Sequence, residues 1–311
     1  MTSILRTPDD RFAGLPDFDF TPRYHMIDDP TLGPLRMHFI DEGPRDAPVA
    51  LMLHGEPTWS FLYRKMIPVV AAAGYRAVAP DMIGFGRSDK LAERGDYSYQ
   101  RFVDWMKTFV TGLDLRRVTL VCQDWGGPIG LRVLSETPDR FDAVLATNTL
   151  LPNCEPPPRG VEGWPGEIIT NWVATCRAAN DLPISEIVAG VCLERPDPDV
   201  LRGYDAPFPD AGFKAAPLQI TCLIPVDADM PGVAENRRAW AVLETFDKPF
   251  LTAFSDRDPS TKAWEDIFRS RAPGAALQPA IEIKDAGHFV QEEQGEALAA
   301  VLVTMLDNIY G

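Results

Sequence analysis

Strand-length apolar runs alternate with segments of helical spacing through the first half of the chain. The runs are Val49-Ala-Leu-Met-Leu-His54, Arg76-Ala-Val-Ala-Pro-Asp81, Val118–Gln123 and Ala143–Thr147, and segments near 60–73, 100–113 and 127–137 lie between them. Runs that are apolar on both faces and separated by helices predict a mostly parallel sheet covered by helices on both sides. The rhythm breaks at residues 152–166, "PNCEPPPRGVEGWPG", and helical spacing without strands continues to about residue 230. Alternation returns with Phe250–Phe254, a helix near 260–271 and Ile281–Lys284. A last helix sets Leu298, Leu302, Met305, Leu306 and Ile309 on one face. The pattern therefore predicts an α/β core formed by residues 1–152 and 231–311, interrupted by a helical insertion at 153–230.

Composition narrows the function classes. Of 311 residues, 45% are hydrophobic and 24% charged, and the net charge is −15. So acidic a chain is a poor partner for nucleic acid or an anionic membrane surface, both of which call for clustered Lys and Arg. No run approaches the length of a membrane helix. The N-terminal MTSILRTPDD lacks the apolar segment of a secretory signal. Five cysteines, at 122, 154, 176, 192 and 222, form no CxxC pair, so neither a disulfide framework nor a zinc site is indicated. A cytoplasmic protein with reduced thiols is expected.

The chemistry concentrates at three corners where strands end. In Val121-Cys-Gln-Asp-Trp-Gly-Gly127, Asp124 stands at a strand–turn–helix corner with small residues two positions away on either side, Cys122 and Gly126. A nucleophile elbow needs that spacing, because bulk would clash in the tight turn; an aspartate after a strand can equally be a helix N-cap. His54-Gly-Glu-Pro-Thr-Trp59 follows another strand, where a backbone N–H can complete an oxyanion hole with that of the residue after the nucleophile. His54 itself, preceding the turn, is expected to be a packed structural histidine. Asp285-Ala-Gly-His-Phe-Val290 follows the last strand, and His288 on that loop is the natural base, since the other histidines lie early in the chain. Phe254-Ser-Asp-Arg-Asp-Pro259 offers two orienting acids, Asp258 and Asp256, of which Asp258 is favoured. Asn148, at the end of a further strand, is excluded as the orienter because an amide cannot stabilise imidazolium as a carboxylate does. The GxG within Asp81-Met-Ile-Gly-Phe-Gly-Arg-Ser-Asp89 lacks a third glycine and is read as a structural turn.

Together these residues resemble the haloalkane dehalogenases of the α/β-hydrolase superfamily, in the branch carrying HGEPTW and QDWGG. The likeness also takes in "RTPDDRFAGLPDF", "HGEPTWSFLYRKMIPV", "APDMIGFGRSDK", "TLVCQDWGG" and "DAGHFVQE". It implies an α/β-hydrolase fold with a helical cap inserted after the sixth strand. It implies Asp124 as nucleophile, His288 as base, Asp258 as acid, and the backbone N–H groups of Glu56 and Trp125 as oxyanion hole. Trp125 and Trp172 would bind halide, the latter from the cap segment "TNWVATCRAANDLPISEIV", with Trp164 a packing residue. The partners implied are a small halogenated hydrocarbon and a halide ion, with water as co-substrate, no cofactor or metal, and a monomeric chain. Pro128 stands where a relative in this branch has an aromatic pocket residue, and the cap matches least around 155–165 and 211–235. An epoxide hydrolase of the same fold is the alternative; it needs two cap tyrosines as donors, and this cap holds one, Tyr204.

Overall fold

The computed structural model describes residues 3–157 and 166–311; Trp164 lies outside the described residues. Its centre is an eight-stranded sheet, labelled here β1 (Arg23–Asp29), β2 (Gly33–Glu42), β3 (Val49–Leu53), β4 (Arg76–Pro80), β5 (Val118–Asp124), β6 (Phe141–Thr149), β7 (Phe250–Ser255) and β8 (Ala280–Ile283). The spatial order is β8-β7-β6-β5-β3-β4-β2-β1. Pairing is antiparallel for β1 with β2 and β2 with β4, and parallel elsewhere. Every residue of β3, and every residue of β5 except Asp124, is buried, as strands covered on both faces must be.

Helices Tyr99–Gly112, Gly126–Glu136 and Val233–Leu243 pack on one another as one layer, and Ile67–Ala72 packs on Gly295–Tyr310 elsewhere on the sheet. The last helix buries Leu298, Leu302, Met305 and Leu306 of the stripe its spacing predicts and leaves Ile309 half-buried at its end. The segment expected to be helical near 60–73 divides into a short turn at Ser60–Tyr63 and a helix at Ile67–Ala72, with Pro68 in its first turn. The hairpin β1–β2 adds two strands that the apolar pattern does not announce. In β1 only Ile27 and Asp29 are buried, so its sequence lacks the continuous apolar run of a central strand.

Between Thr149 and Phe250 the described chain is helical: Glu167–Ala178, Ile184–Val191, Pro198–Asp205 and Ala215–Ile220 precede Val233–Leu243. Side chains of the core tie this insertion down. Arg94 donates to the carbonyls of Leu218 at 2.8 Å and of Ala179 and Cys176 at 3.2 Å, and the Trp59 indole donates to Gly203 at 3.0 Å. The insertion thus closes over the carboxyl ends of β5 and β7, the edge where open α/β sheets bind ligands.

Candidate active site

The sheet delivers Asp124 in a strained conformation. Its φ of +48° lies in the left-handed region, and the helix Gly126–Glu136 begins two residues later. Non-glycine residues rarely adopt this conformation, and aspartate tolerates it better than most. The turn closes tightly: a Cβ on Gly126 would run into the carbonyl of Leu53, and one on Gly55 into the carboxylate of Asp124 itself. A glycine is therefore required two residues after Asp124, as the elbow pattern predicts, and another in the neighbouring loop at Gly55.

The carboxylate is held differently at its two oxygens. The Glu56 backbone N–H donates to Oδ1 at 2.7 Å, while Oδ2 faces His288 Nε2 at 3.5 Å. On its other side, the His288 ring bonds through Nδ1 to Asp258 Oδ1 at 3.1 Å, and the Ser260 hydroxyl lies 3.2 Å from the same nitrogen. Asp258, and not Asp256, meets the ring; Asp256 accepts from the Ala286 N–H at 3.4 Å. Burial opposes the charge of Asp258, but His288 and donors from Ser260 and Thr261 overcome it and hold its pKa well below the usual carboxylate range. Burial likewise opposes an imidazolium at His288, yet the charges and hydrogen bonds of Asp258 and Asp124 push its pKa up to about 10. The two carboxylates thus favour the charged form of the ring.

A cavity of about 550 Å³ opens from Asp124 and His288 toward the insertion. Its walls include Ile168, Trp172, Ile187 and Phe289, so the nucleophile faces a largely apolar space. Ile168, Asn171, Trp172 and Thr175 reach it from one face of their helix, at the three- and four-residue spacing of a helical stripe. The Trp172 indole donates to Glu56 Oε2 at 3.4 Å. Burial, then the nearby charge of Asp124, raise the Glu56 carboxyl well above its ordinary value. Trp125 is buried at the start of the helix Gly126–Glu136 and, unlike Trp172, does not line this cavity; its ring lies 5.2 Å from that of Tyr99 and perpendicular to it.

Other expectations resolve locally. His54 is fully buried and accepts the Met82 N–H at 3.0 Å, a packed structural residue. The turn after β4 is likewise structural: Asp81 accepts from the Ser60 and Arg87 N–H groups and from His38 at 2.7–2.8 Å. Tyr204 donates to Glu292 at 2.6 Å within a buried network that includes Arg64, so its hydroxyl is committed away from Asp124. Pro128 sits in the first turn of its helix and offers its carbonyl to Tyr99 at 3.0 Å.

Two residues without an assigned role prove to be built into the site. Asn148 orients no ring, but its amide donates to Ser255 Oγ and to the carbonyls of Gly287 and His288 at 2.8–2.9 Å, anchoring the histidine loop to β6 and β7. The signal for it was a polar triplet, Thr147-Asn148-Thr149, at the end of an otherwise apolar strand. Gln123, buried beside the nucleophile, also reaches His288.

A carboxylate on a nucleophile elbow, open to the cavity and faced by a histidine that a buried carboxylate holds, defines an α/β hydrolase with aspartate in the attacking position. Residues 48–168 match the family model described as the alpha/beta hydrolase fold. Over 97% of its length the chain is 46% identical to a haloalkane dehalogenase of Psychrobacter cryohalolentis, covering 98% of that protein. It is 42% identical to one of Mycobacterium marinum, over 97% of this chain and 99% of that one. Among solved structures, the tetrameric haloalkane dehalogenase DpaA of Paraglaciecola agarilytica superimposes with a TM-score of 0.87 at 36% identity, covering 96% and 97% of the two chains. The chain belongs to the haloalkane dehalogenases, hydrolases that release halide from halogenated substrates.

Proposed function

We propose that Asp124 carries the reaction, and the observation that supports this best is the unequal treatment of its two oxygens. Oδ1 rests on the Glu56 N–H, where the ester carbonyl would lie, and Oδ2 is left toward the cavity and His288. An electron pair of Oδ2 attacks the carbon bearing the halogen, and the C–X pair leaves with the halide. Trp125 and Trp172 are the indole donors assigned to that halide, Trp172 leaving Glu56 to reach it. Two N–H donors in an apolar space suit a large, weakly hydrated anion.

Aspartate fits this chemistry where serine does not. Attack by a carboxylate gives an ester with a carbonyl carbon that water can attack; attack by a hydroxyl would give an ether. Covalent catalysis so divides one displacement into two easier steps. In the second, His288 takes a proton from water as its oxygen adds to the ester carbonyl. The N–H groups of Glu56 and Trp125 hold the charge on Oδ1, and Asp258 stabilises the imidazolium. Collapse breaks the acyl–oxygen bond, the alcohol leaves with the proton, and the proton left on the Asp124 carboxyl passes to His288, regenerating the carboxylate.

Neither step calls for electron transfer or a Lewis acid, so water is the one co-substrate assigned and no cofactor or metal is. All assigned groups come from one chain, which supports a working monomer; sedimentation would measure it. The division into a core of 1–152 and 231–311 and a cap of 153–230 is assigned on the helical insertion. A cytoplasmic location is assigned on the five unpaired cysteines, and no described helix is long and apolar enough to cross a membrane.

The mechanism is tested by replacing His288 with alanine. Alkylation needs no base, so the variant is expected to release about one halide per site and stop, because water activation is lost. Mass spectrometry after exposure to a reactive bromoalkane should show the alkyl mass on Asp124. Sustained turnover by this variant would contradict the assignment.

A further inference from the structure

The residue before the nucleophile has no part in the steps above. Gln123 is fully buried at the end of β5. Its Nε2 lies 3.2 Å from the carbonyl oxygen of His288 and 3.1 Å from Nε2 of the same residue's ring. The carbonyl can only accept, so it fixes the amide with its NH2 group toward His288. Turned over, the amide oxygen would face the carbonyl oxygen, and the NH2 would take the place of Oε1, which has no hydrogen-bond partner among the described residues. The NH2 group has two hydrogens. One serves the carbonyl, and the ring nitrogen can accept the other only when Nε2 carries a lone pair instead of a proton.

The ring nitrogen therefore has two neighbours with opposite demands. Asp124 Oδ2 at 3.5 Å favours a protonated Nε2; the Gln123 amide at 3.1 Å favours a bare one. The groups facing the ring from the surrounding elements are few. Asp258 and the Ser260 hydroxyl come from the loop after β7, Asp124 from the elbow, and the Glu56 carboxyl from the loop after β3. The helix Ile184–Val191 meets the loop through the Val191 carbonyl, which accepts the His288 backbone N–H at 3.1 Å.

The geometry points to Gln123 as a positioning residue that times the second step: its amide selects the imidazole with a bare Nε2 once Asp124 has become an ester. This rests on the assignment of Asp124 as nucleophile and His288 as base. While Asp124 is a carboxylate, the imidazolium balances it and Asp258. Ester formation uses the Oδ2 electron pair, and one negative charge leaves the site with the halide. The proton on Nε2 has then lost a counter-charge and faces an N–H donor, so it departs to solvent water. The neutral ring takes a proton from the attacking water and returns it to the departing alcohol; the water's second proton, left on the Asp124 carboxyl, then passes to Nε2 and restores the carboxylate and the imidazolium. In sum RX and H2O give ROH and HX, with Asp124, His288 and Gln123 unchanged.

The decisive measurement is the pH profile of ester hydrolysis, read as single-turnover decay of the alkyl-enzyme in the wild type, Gln123→Met and Gln123→Glu. Methionine keeps the size and removes the donor; glutamate, when ionised, replaces it with an acceptor. The low-pH limb is expected to move up by about 0.7 pH unit in Gln123→Met, the worth of one neutral hydrogen bond, and further in Gln123→Glu. A glutamine that only props the loop would lower the rate at every pH and leave the limb in place, which overturns the proposal. Should the variants fail to fold, 15N NMR of His288 in Asp124→Ala decides. Nε2 is expected to be bare at neutral pH there and protonated in the wild type. A proton retained on Nε2 after removal of the Asp124 charge overturns the proposal. Failure of the wild type to form any alkyl-enzyme would instead overturn the nucleophile assignment, so the two failures are distinct.

Discussion

The sheet side and the cap side of the cavity are built to different tolerances. On the sheet side, Asp124 is fixed by its own backbone angle, by glycines that admit no Cβ, and by an N–H bond of 2.7 Å; its partner histidine is tied to Asp258 and, through the Asn148 amide, to two strands. On the cap side, Trp172 is half-buried on a helix whose neighbouring cavity residue, Ile168, is 49% exposed, and a single 3.4 Å bond holds its indole. The difference separates two jobs. Bond-making needs groups placed to within a fraction of an ångström, and the extended strands and their tight turns supply that. A wall that admits substrate and gives up halide can be looser.

The largest expected effect lies on the rigid side. Asp124→Ala removes the only group assigned to bond formation, so halide release should vanish from a panel of haloalkanes. The fold should survive, because the side chain is not part of the apolar core and the elbow backbone stays held between β5 and the helix Gly126–Glu136. Circular dichroism and thermal melting check the fold; ion chromatography checks the halide. Residual activity in a folded variant would move the nucleophile elsewhere.

Asp258→Asn comes next. Loss of an orienting carboxylate lowers turnover on the order of 10⁴-fold in a comparable triad, and here the loss should fall on ester hydrolysis, with the first halide still released. The pair also links stability to pH. Asp258 is depressed from its ordinary 3.8, so its contribution is present above that value and is lost as pH falls toward its lower folded value. His288 is raised from 6.5, so its contribution is full below 6.5 and is lost as pH rises through about 10. Melting temperatures of the wild type should therefore decline on both sides of the interval from 3.8 to 6.5 more steeply than those of Asp258→Asn. Parallel curves for the two proteins would remove the pair from the stability balance.

The same contrast accounts for what could be read in the chain. The central strands were legible because burial on both faces leaves an unbroken apolar run. The elbow was legible because its small residues are demanded by a turn that lies within a few positions of sequence. Cap placement was harder: Arg94 and Trp59, far away in the chain, help dock the insertion that carries Trp172, and no local pattern encodes that docking. Asn148 and Gln123 were missed in their positioning roles for a related reason. Their amides act on the backbone of a loop some 140 to 165 residues away, and an amide at a strand end looks the same whether or not such a loop returns to it.

The smallest expected effect tests the looser wall. Trp172→Phe keeps an aromatic ring of similar depth and removes one N–H. A hydrogen bond to an anion is worth roughly 1.5–3 kcal/mol, or about ten- to a hundredfold in affinity. The wild-type indole, however, already donates to Glu56 in the halide-free site. Halide binding thus exchanges one acceptor for another, and the net loss should lie at the lower end, roughly tenfold. Quenching of the remaining tryptophan fluorescence by bromide would report the dissociation constant. Unchanged affinity would take the halide role from Trp172. A loss near a hundredfold would mean that the bond to Glu56 contributes almost nothing, so that the cap wall gives up its indole at no cost.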